Sequence, residues 1–237
     1  IELVYEDGKC SGAPSVSAAQ KLISSDQVKI IIGSECSGGV LAMLPVTDQA
    51  NVFVFSASAT SPDLSNKSPL FARTIPSDAS QGRVLAEAAI TRGWKKIAVI
   101  QESSDYAMGV FKAFESNYPA TAGVITKEEY PANTTDFRSV LAKAKATQPE
   151  VIFFIPQSPG AAERLIKNFS DLKWVVPVMA NDVVGGNPPL LSTFKQTLEG
   201  ALTVEQYLDQ SNTKFQKFNA DYKTKYNKEL VYKTYGQ

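Results

Sequence analysis

Apolar residues recur along this chain in two alternating rhythms. Short, nearly unbroken apolar runs lie at 28–32, 52–55, 96–100 and 151–155, with weaker ones at 1–5, 70–74, 124–130, 175–179 and 200–204. Unbroken runs of this kind predict strands buried on both faces of a parallel sheet. Between the runs, apolar residues return at the spacing of one helix face. That spacing predicts helices over about 14–25 and from Ser37-Gly38 through Val40, Leu41, Leu44 and Thr47. It predicts two more, one through Val84, Leu85, Ala88 and Ala89 and one through Tyr106, Val110, Phe111 and Phe114. Further helices run from Phe137 to Ala144, from the capped start Ser158-Pro159, and over 214–226. Strand, short polar turn and helix alternate from end to end. The expected class is α/β, with parallel sheets and helices on both faces.

Two of the turns are unusually rich in small hydroxylated residues. Gly33-Ser34-Glu35-Cys36-Ser37-Gly38-Gly39 follows one strand, and Ser56-Ala57-Ser58-Ala59-Thr60-Ser61-Pro62 follows the next. A helix N-terminus after such a turn presents unpaired N–H groups and a positive dipole end, which suit a carboxylate or phosphate. In an open parallel sheet the loops after the strands share one edge, where ligands bind. Ser37, Ser58 and Thr60 are therefore expected in one cleft. The plainer alternative is an ordinary turn with Ser37 as the helix N-cap.

Composition narrows the chemistry. The 237 residues are 43% hydrophobic and 20% charged, with 24 acidic and 24 basic side chains, so nothing draws the chain to nucleic acid or an anionic membrane. No run is long enough for a membrane-spanning helix. Histidine is absent, which excludes Ser/His/Asp and Cys/His catalysis, and no paired-carboxylate or Walker pattern stands in. No metal or cofactor motif is present either, so the expectation is a protein that is not an enzyme. Cys10 and Cys36 each follow a predicted strand and lie beyond the same sheet edge, within reach of each other. A disulfide between them would imply an oxidising compartment; two free thiols are the alternative.

Taken together, several segments resemble the solute-binding proteins of ABC transporters, in the leucine/isoleucine/valine-binding group of the type I periplasmic-binding fold. The matching pieces are Tyr5-Glu6-Asp7 with Cys10, the turn from Gly33 to Ser37, and 56–62. Arg73-Thr74 with Asp78 and Gln81-Gly82, Tyr106 with Gly109, Asp136-Phe137 and Glu199-Gly200 continue the match in order. The resemblance implies two Rossmann-like lobes, one from 1–75 plus 203–237 and the other from 76–202, closing on a small ligand. It implies a Cys10–Cys36 disulfide, a periplasmic or extracellular location after signal-peptide removal, and an ABC transporter permease as partner. The membrane would be met only through that permease or a lipid anchor.

Residue by residue, the resemblance assigns the ligand carboxylate of an amino acid to Ser37 and Thr60. The Ser58 carbonyl and the Thr60 hydroxyl would accept from the ammonium group, Tyr106 would reach in from the second lobe, and Asp182 would be the acidic partner. Gln157 stands where branched-chain binders often carry an aromatic residue, which favours a polar or larger ligand side chain. Plainer roles exist for two of these: Tyr106 packing its helix, and Asp182 capping a turn. Compared with the family, the chain opens inside the second strand and stops at Gln237, where a helix is due. A truncated first lobe is thus expected, with a gap where a central strand belongs between 1–5 and 28–32. A ligand-sensing receptor module, or a binder of aromatic or other small carboxylates or amides, is the competing reading.

Overall fold

The computed structural model describes residues 2–207, 209–228 and 230. Its elements follow the alternation read from the sequence. Helix α1 (Gly12–Ser24) leads to β1 (Ile30–Ile32), α2 (Ser37–Gln49) and β2 (Phe53–Ser56). A 3-10 turn at Pro62–Leu64 and β3 (Phe71–Arg73) complete a three-stranded parallel sheet in the order β1-β2-β3. Side chains of α1, α2 and this sheet, among them Ala19, Ile31, Val40, Leu44 and Val54, form its core.

The chain then passes to a second unit. This contains α3 (Asp78–Thr91), β4 (Lys96–Glu102), α4 (Asp105–Asn117), β5 (Val124–Tyr130) and α5 (Arg138–Ala146). It continues with β6 (Val151–Ile155), α6 (Pro159–Asp171) and β7 (Val178–Ala180). Three short helices, α7 (Asp182–Gly185), α8 (Pro188–Thr193) and α9 (Lys195–Leu198), precede β8 (Leu202–Thr203), and α10 (Thr213–Tyr226) follows. The five strands pair in parallel in the order β5-β4-β6-β7-β8. One core joins Val99, Phe153 and Ile155 to Leu85, Val110 and Phe114; another joins Ile100, Ile152 and Phe154 to Leu141, Leu165 and Phe169. Helices thus cover both faces, and every residue of β6 is buried, as its unbroken apolar run demands.

The first sheet departs from expectation in two places. Residues 2–8 form no strand, and Tyr5 is 80% exposed; Ile1 lies outside the described residues. A strand needs a neighbour to take up its backbone N–H and C=O groups, and β1 stands at the edge of its sheet with no ladder to this segment. The run at 28–32 is buried on one face only. Ile31 points into the core, whereas Ile30 and Ile32 are 61% and 76% exposed, because α1 and α2 pack on a single side.

Smaller differences share a cause. Val175 is fully exposed and the strand begins at Val178, since only from there does the backbone pair with β6. On α3 the inward stripe is Asp78, Gln81, Gly82, Leu85, Ala86 and Ala89, leaving Val84 at the surface. Helix periodicity identifies a stripe, but its rotation is set by what it packs against. Residues 231–237, where the chain stops, lie outside the described residues.

Candidate functional site

Polar residues from both units meet where the chain passes from β3 to α3. Ser77 caps α3, its side chain accepting from the Ala79 N–H, and this turns Asp78 and Gln81 inward. The backbone N–H of Asp78 donates to the Thr60 carbonyl (3.0 Å), which ties α3 to the loop after β2. Gln81 links two acids: its Nε2 donates to Asp78 Oδ1 (2.8 Å), and its Oε1 accepts from the Asp182 backbone N–H (3.0 Å). The Tyr106 hydroxyl donates to the Asp182 carboxylate and accepts from Asn181 Nδ2 (3.0 Å). Thr60, Tyr106 and Asp182 are therefore brought together, joined by Asp78, Gln81 and Asn181, which the sequence reading did not place in the site.

Tyr106 does more than pack its helix, and Asp182 does more than cap a turn. Asp182 opens α7, and both residues belong to one hydrogen-bonded group at the carboxyl edge of the second sheet. A signal for Asp78 and Gln81 was present in the sequence. Both fall on the inward stripe with Leu85 and Ala89, and polar side chains on such a stripe need a reason to be there.

Ser37, Ser58 and Gln157 form a second group beside the first. Ser37 lies in the first turn of α2, with Cys36 rather than Ser37 as N-cap; its Oγ accepts from the Ser61 N–H (3.1 Å). That bond holds the two hydroxyl-rich turns against each other. Ser58 Oγ donates to the Glu35 carbonyl (2.9 Å), and Gln157 Nε2 reaches Cys36 Sγ (3.9 Å) from the second sheet. Gln157 is itself held through its backbone N–H by the buried Glu102 carboxylate (3.0 Å). Cys36 is disulfide-bonded to Cys10, with their Cα atoms 5.2 Å apart. Arg73 secures the same loop, its Nη1 donating to the carbonyls of Ala59 (3.0 Å) and Ser61 (2.9 Å).

The electrostatics of the first group are unusual. Asp78 is 2% exposed, and its Oδ2 has no hydrogen-bond partner among the described residues. Burial, followed by the negative charge of Asp182, pushes the Asp78 carboxyl up to about 7, against smaller opposing effects of Thr60, Gln81 and Arg73. Burial likewise raises Asp182, although the Tyr106 hydroxyl favours its ionised form. The buried Asp78 carboxyl and the half-buried Asp182 carboxyl share this site, and the Arg73 guanidinium offsets the Asp78 charge only in small part. Beside them lies a cavity of about 390 Å³ whose lining includes Asp78, Gln81, Asp182, Glu205 and Gln206.

The two units touch through α2 and α4. A Cβ added to Gly38 would lie 2.5 Å from Asp105 Oδ2, and one added to Gly109 would lie 2.9 Å from Ser61 Oγ. A side chain at either glycine would have to push a neighbouring side chain aside. The Asp105 carboxylate sits beside the first turn of α2, where the helix dipole favours a negative charge. Lys112 also pairs with Asp63 across this seam (3.2 Å), an exposed pair that adds little.

Two parallel-sheet α/β units with polar groups gathered at the carboxyl edges of their sheets constitute the type I periplasmic-binding fold. Residues 1–236 match the family described as Periplasmic binding protein, and the chain belongs to that family. Among curated relatives, it is 29% identical over 164 residues to the Leu/Ile/Val-binding protein homolog 6 of Brucella abortus (strain 2308), covering 67% of this chain and 42% of that protein. It is 25% identical over 212 residues to Glutamate receptor 2.2 of Arabidopsis thaliana, covering 86% of this chain and 23% of the receptor. The chain thus spans less than half the length of either relative. The crystal structure of a leucine binding protein, LivK, from Thermotoga maritima superposes with a TM-score of 0.85 at 24% identity, covering 99% of this chain and 68% of that one. At that identity the likeness is one of fold.

Proposed function

We propose that this protein captures an α-amino acid between two lobes, outside the cytoplasm, and delivers it to the permease of an ABC importer. The lobes in this reading are 1–75 with 203–237, and 76–202. One observation supports it: the buried Asp78 carboxyl and the half-buried Asp182 carboxyl line one cavity, with little positive charge to offset them. A ligand cation relieves that shortage. Close by, the hydroxyls of Ser37 and Thr60 and the N-terminus of α2 supply donors for an anion. An α-amino acid carries both charges on one carbon.

In this reading Ser37 and Thr60 hold the carboxylate, and the Ser58 carbonyl, the Thr60 hydroxyl, Asp78 and Asp182 surround the ammonium. Tyr106 orients Asp182 through its hydroxyl, and Gln157 approaches the ligand from the second lobe. The protein binds and releases without a chemical step, and uses no cofactor or metal. The relative named as a Leu/Ile/Val-binding protein supports an amino-acid ligand of this class. Calorimetric titration with amino acids and with matched carboxylates lacking the ammonium group tests it. Amino acids should bind far more tightly; a purely anionic ligand binding better than any amino acid would overturn the reading.

The likeness to Glutamate receptor 2.2 over 86% of this chain favours a second reading, the sensor module of a receptor. Transport assays with the cognate permease separate the two, since a sensor would bind the same ligand without stimulating uptake.

A further inference from the structure

Glu102 is a buried acid that stands apart from the Asp78–Asp182 pair. It ends β4, a strand buried at every position after Lys96, and is itself 2% exposed. Burial pushes its carboxyl up, against the opposing effects of the Gln157 backbone N–H and the Arg164 charge. An apolar residue would end such a strand at lower cost, so stability alone does not account for a carboxylate here.

What the carboxylate holds is one peptide group. It accepts from the Gln157 backbone N–H (3.0 Å), while the Pro156 carbonyl, at the other end of the same peptide, accepts from Asn181 Nδ2 (2.8 Å). A peptide group is planar, so bonds at both ends set its orientation. The loop from β6 to α6 is only Pro156, Gln157 and Ser158, and Ser158 is fixed as the N-cap of α6, its Oγ accepting from the Ala161 N–H (3.2 Å). Gln157 thus projects from a backbone held on each side, and its Nε2 reaches Cys36 Sγ of the first unit (3.9 Å). Asn181 also donates to the Tyr106 hydroxyl (3.0 Å), which keeps the loop in register with Tyr106 and Asp182.

We propose that Glu102 is a positioning residue for ligand binding: acting through the Pro156–Gln157 peptide, it fixes where the Gln157 side chain stands at the junction of the two units. The proposal rests on the amino-acid reading above, in which Gln157 approaches the ligand from the second lobe. A hydrogen bond to an ionised carboxylate is roughly twice as strong as one between neutral groups. A loop held this firmly presents Gln157 without a further ordering cost when the ligand arrives.

A double-mutant cycle tests the proposal. Thermal-shift screening of the standard amino acids selects the tightest binder, and calorimetry then measures it on Glu102→Leu, Glu102→Gln, Gln157→Ala and the Glu102→Leu/Gln157→Ala combination. Leucine keeps the bulk and removes the acceptor, whereas glutamine keeps an acceptor oxygen. Glu102→Leu should weaken binding about tenfold or more, and Glu102→Gln should stay within about threefold of wild type. With Gln157→Ala already present, Glu102→Leu should change affinity by less than about threefold, since the side chain it positions is gone. A purely structural role would lower affinity equally in both backgrounds, and that result overturns the proposal. Wild-type affinity in Glu102→Leu does so too, as does a Glu102→Gln protein as weak as Glu102→Leu; each leaves the amino-acid reading intact. Glu102→Ala takes the place of Glu102→Leu if the latter does not fold. If no amino acid binds the wild-type protein, the amino-acid reading falls and the positioning role with it.

Discussion

Gln81 ties the buried carboxyl of Asp78 to the backbone N–H of Asp182, and both acids line one cavity. Asp78 opens the first helix after the crossing, and Asp182 opens the short helix after β7. Their mutual repulsion adds to burial in raising Asp78 to about 7.

The first prediction concerns pH. A carboxyl raised on folding makes the folded state bind the extra proton, so its contribution to stability declines as pH rises from about 4 through about 7. The span of about three pH units corresponds to at most about 4 kcal/mol, at roughly 1.36 kcal/mol per unit. Urea unfolding of the ligand-free protein should show that decline, and Asp78→Asn should flatten it. A bound ammonium reverses the preference and expels the proton. Calorimetry at pH 6.5 in buffers of different ionisation heat should therefore report proton release, reduced in Asp78→Asn. Arg73 on β3 and Asp182 on α7 are the charged groups acting on Asp78, and both remain in that variant.

Asp182→Ala removes one of the two carboxylates and with it an acceptor of the Tyr106 hydroxyl. Amino-acid affinity should fall by a few kcal/mol, as when one member of a buried charge pair is deleted. Thr60→Val should cost less, about 1–3 kcal/mol for one unmet polar contact. Calorimetric dissociation constants decide both, and an Asp182→Ala protein that binds as tightly as wild type sinks the ammonium assignment.

Gly38→Ala places a methyl group 2.5 Å from Asp105 Oδ2, at the seam between α2 and α4. The contact exists only when the two units are together. The variant should favour the open form and weaken ligand binding about tenfold or more, with thermal stability in the absence of ligand little changed. Adding Asp105→Ala removes the obstacle and should restore most of the affinity; scattering measurements of the radius of gyration with and without ligand read the closure itself.

Cys10 and Cys36 close a loop of sequence separation 26, for which the chain-entropy account assigns about 3 kcal/mol. Replacing both by serine should lower the unfolding free energy by about that amount. The variant should also loosen the turn that carries Ser37, since the disulfide anchors the residue just before it. Reductant should reproduce the loss in the wild-type protein and have no effect on the variant.

Much of this architecture is legible in order along the chain. The apolar runs at 97–100 and 151–155 are buried strands, and Ser104, Ser158 and Asn212 cap helices through their side chains where the helical spacing begins. Such signals are local: a strand run or a capping side chain acts within a few residues. The family resemblance likewise pointed to Ser37, Ser58, Thr60, Tyr106, Gln157 and Asp182, and the structure draws Thr60, Tyr106 and Asp182 into one hydrogen-bonded group.

What the sequence by itself determined, then, is the parallel α/β class, the sequence of elements and the hydroxyl-rich turns at the sheet edge. Tertiary structure alone decided which faces are covered. Ile30 and Ile32 read as core yet lie exposed, because burial depends on helices that pack on only one side of the first sheet. It alone also brought Asp78 against Asp182, 104 positions apart in the numbering (182 − 78), through Gln81. Burial raises both carboxyls and the charge of Asp182 raises Asp78 further, and neither effect is a property of a residue type or its sequence neighbours.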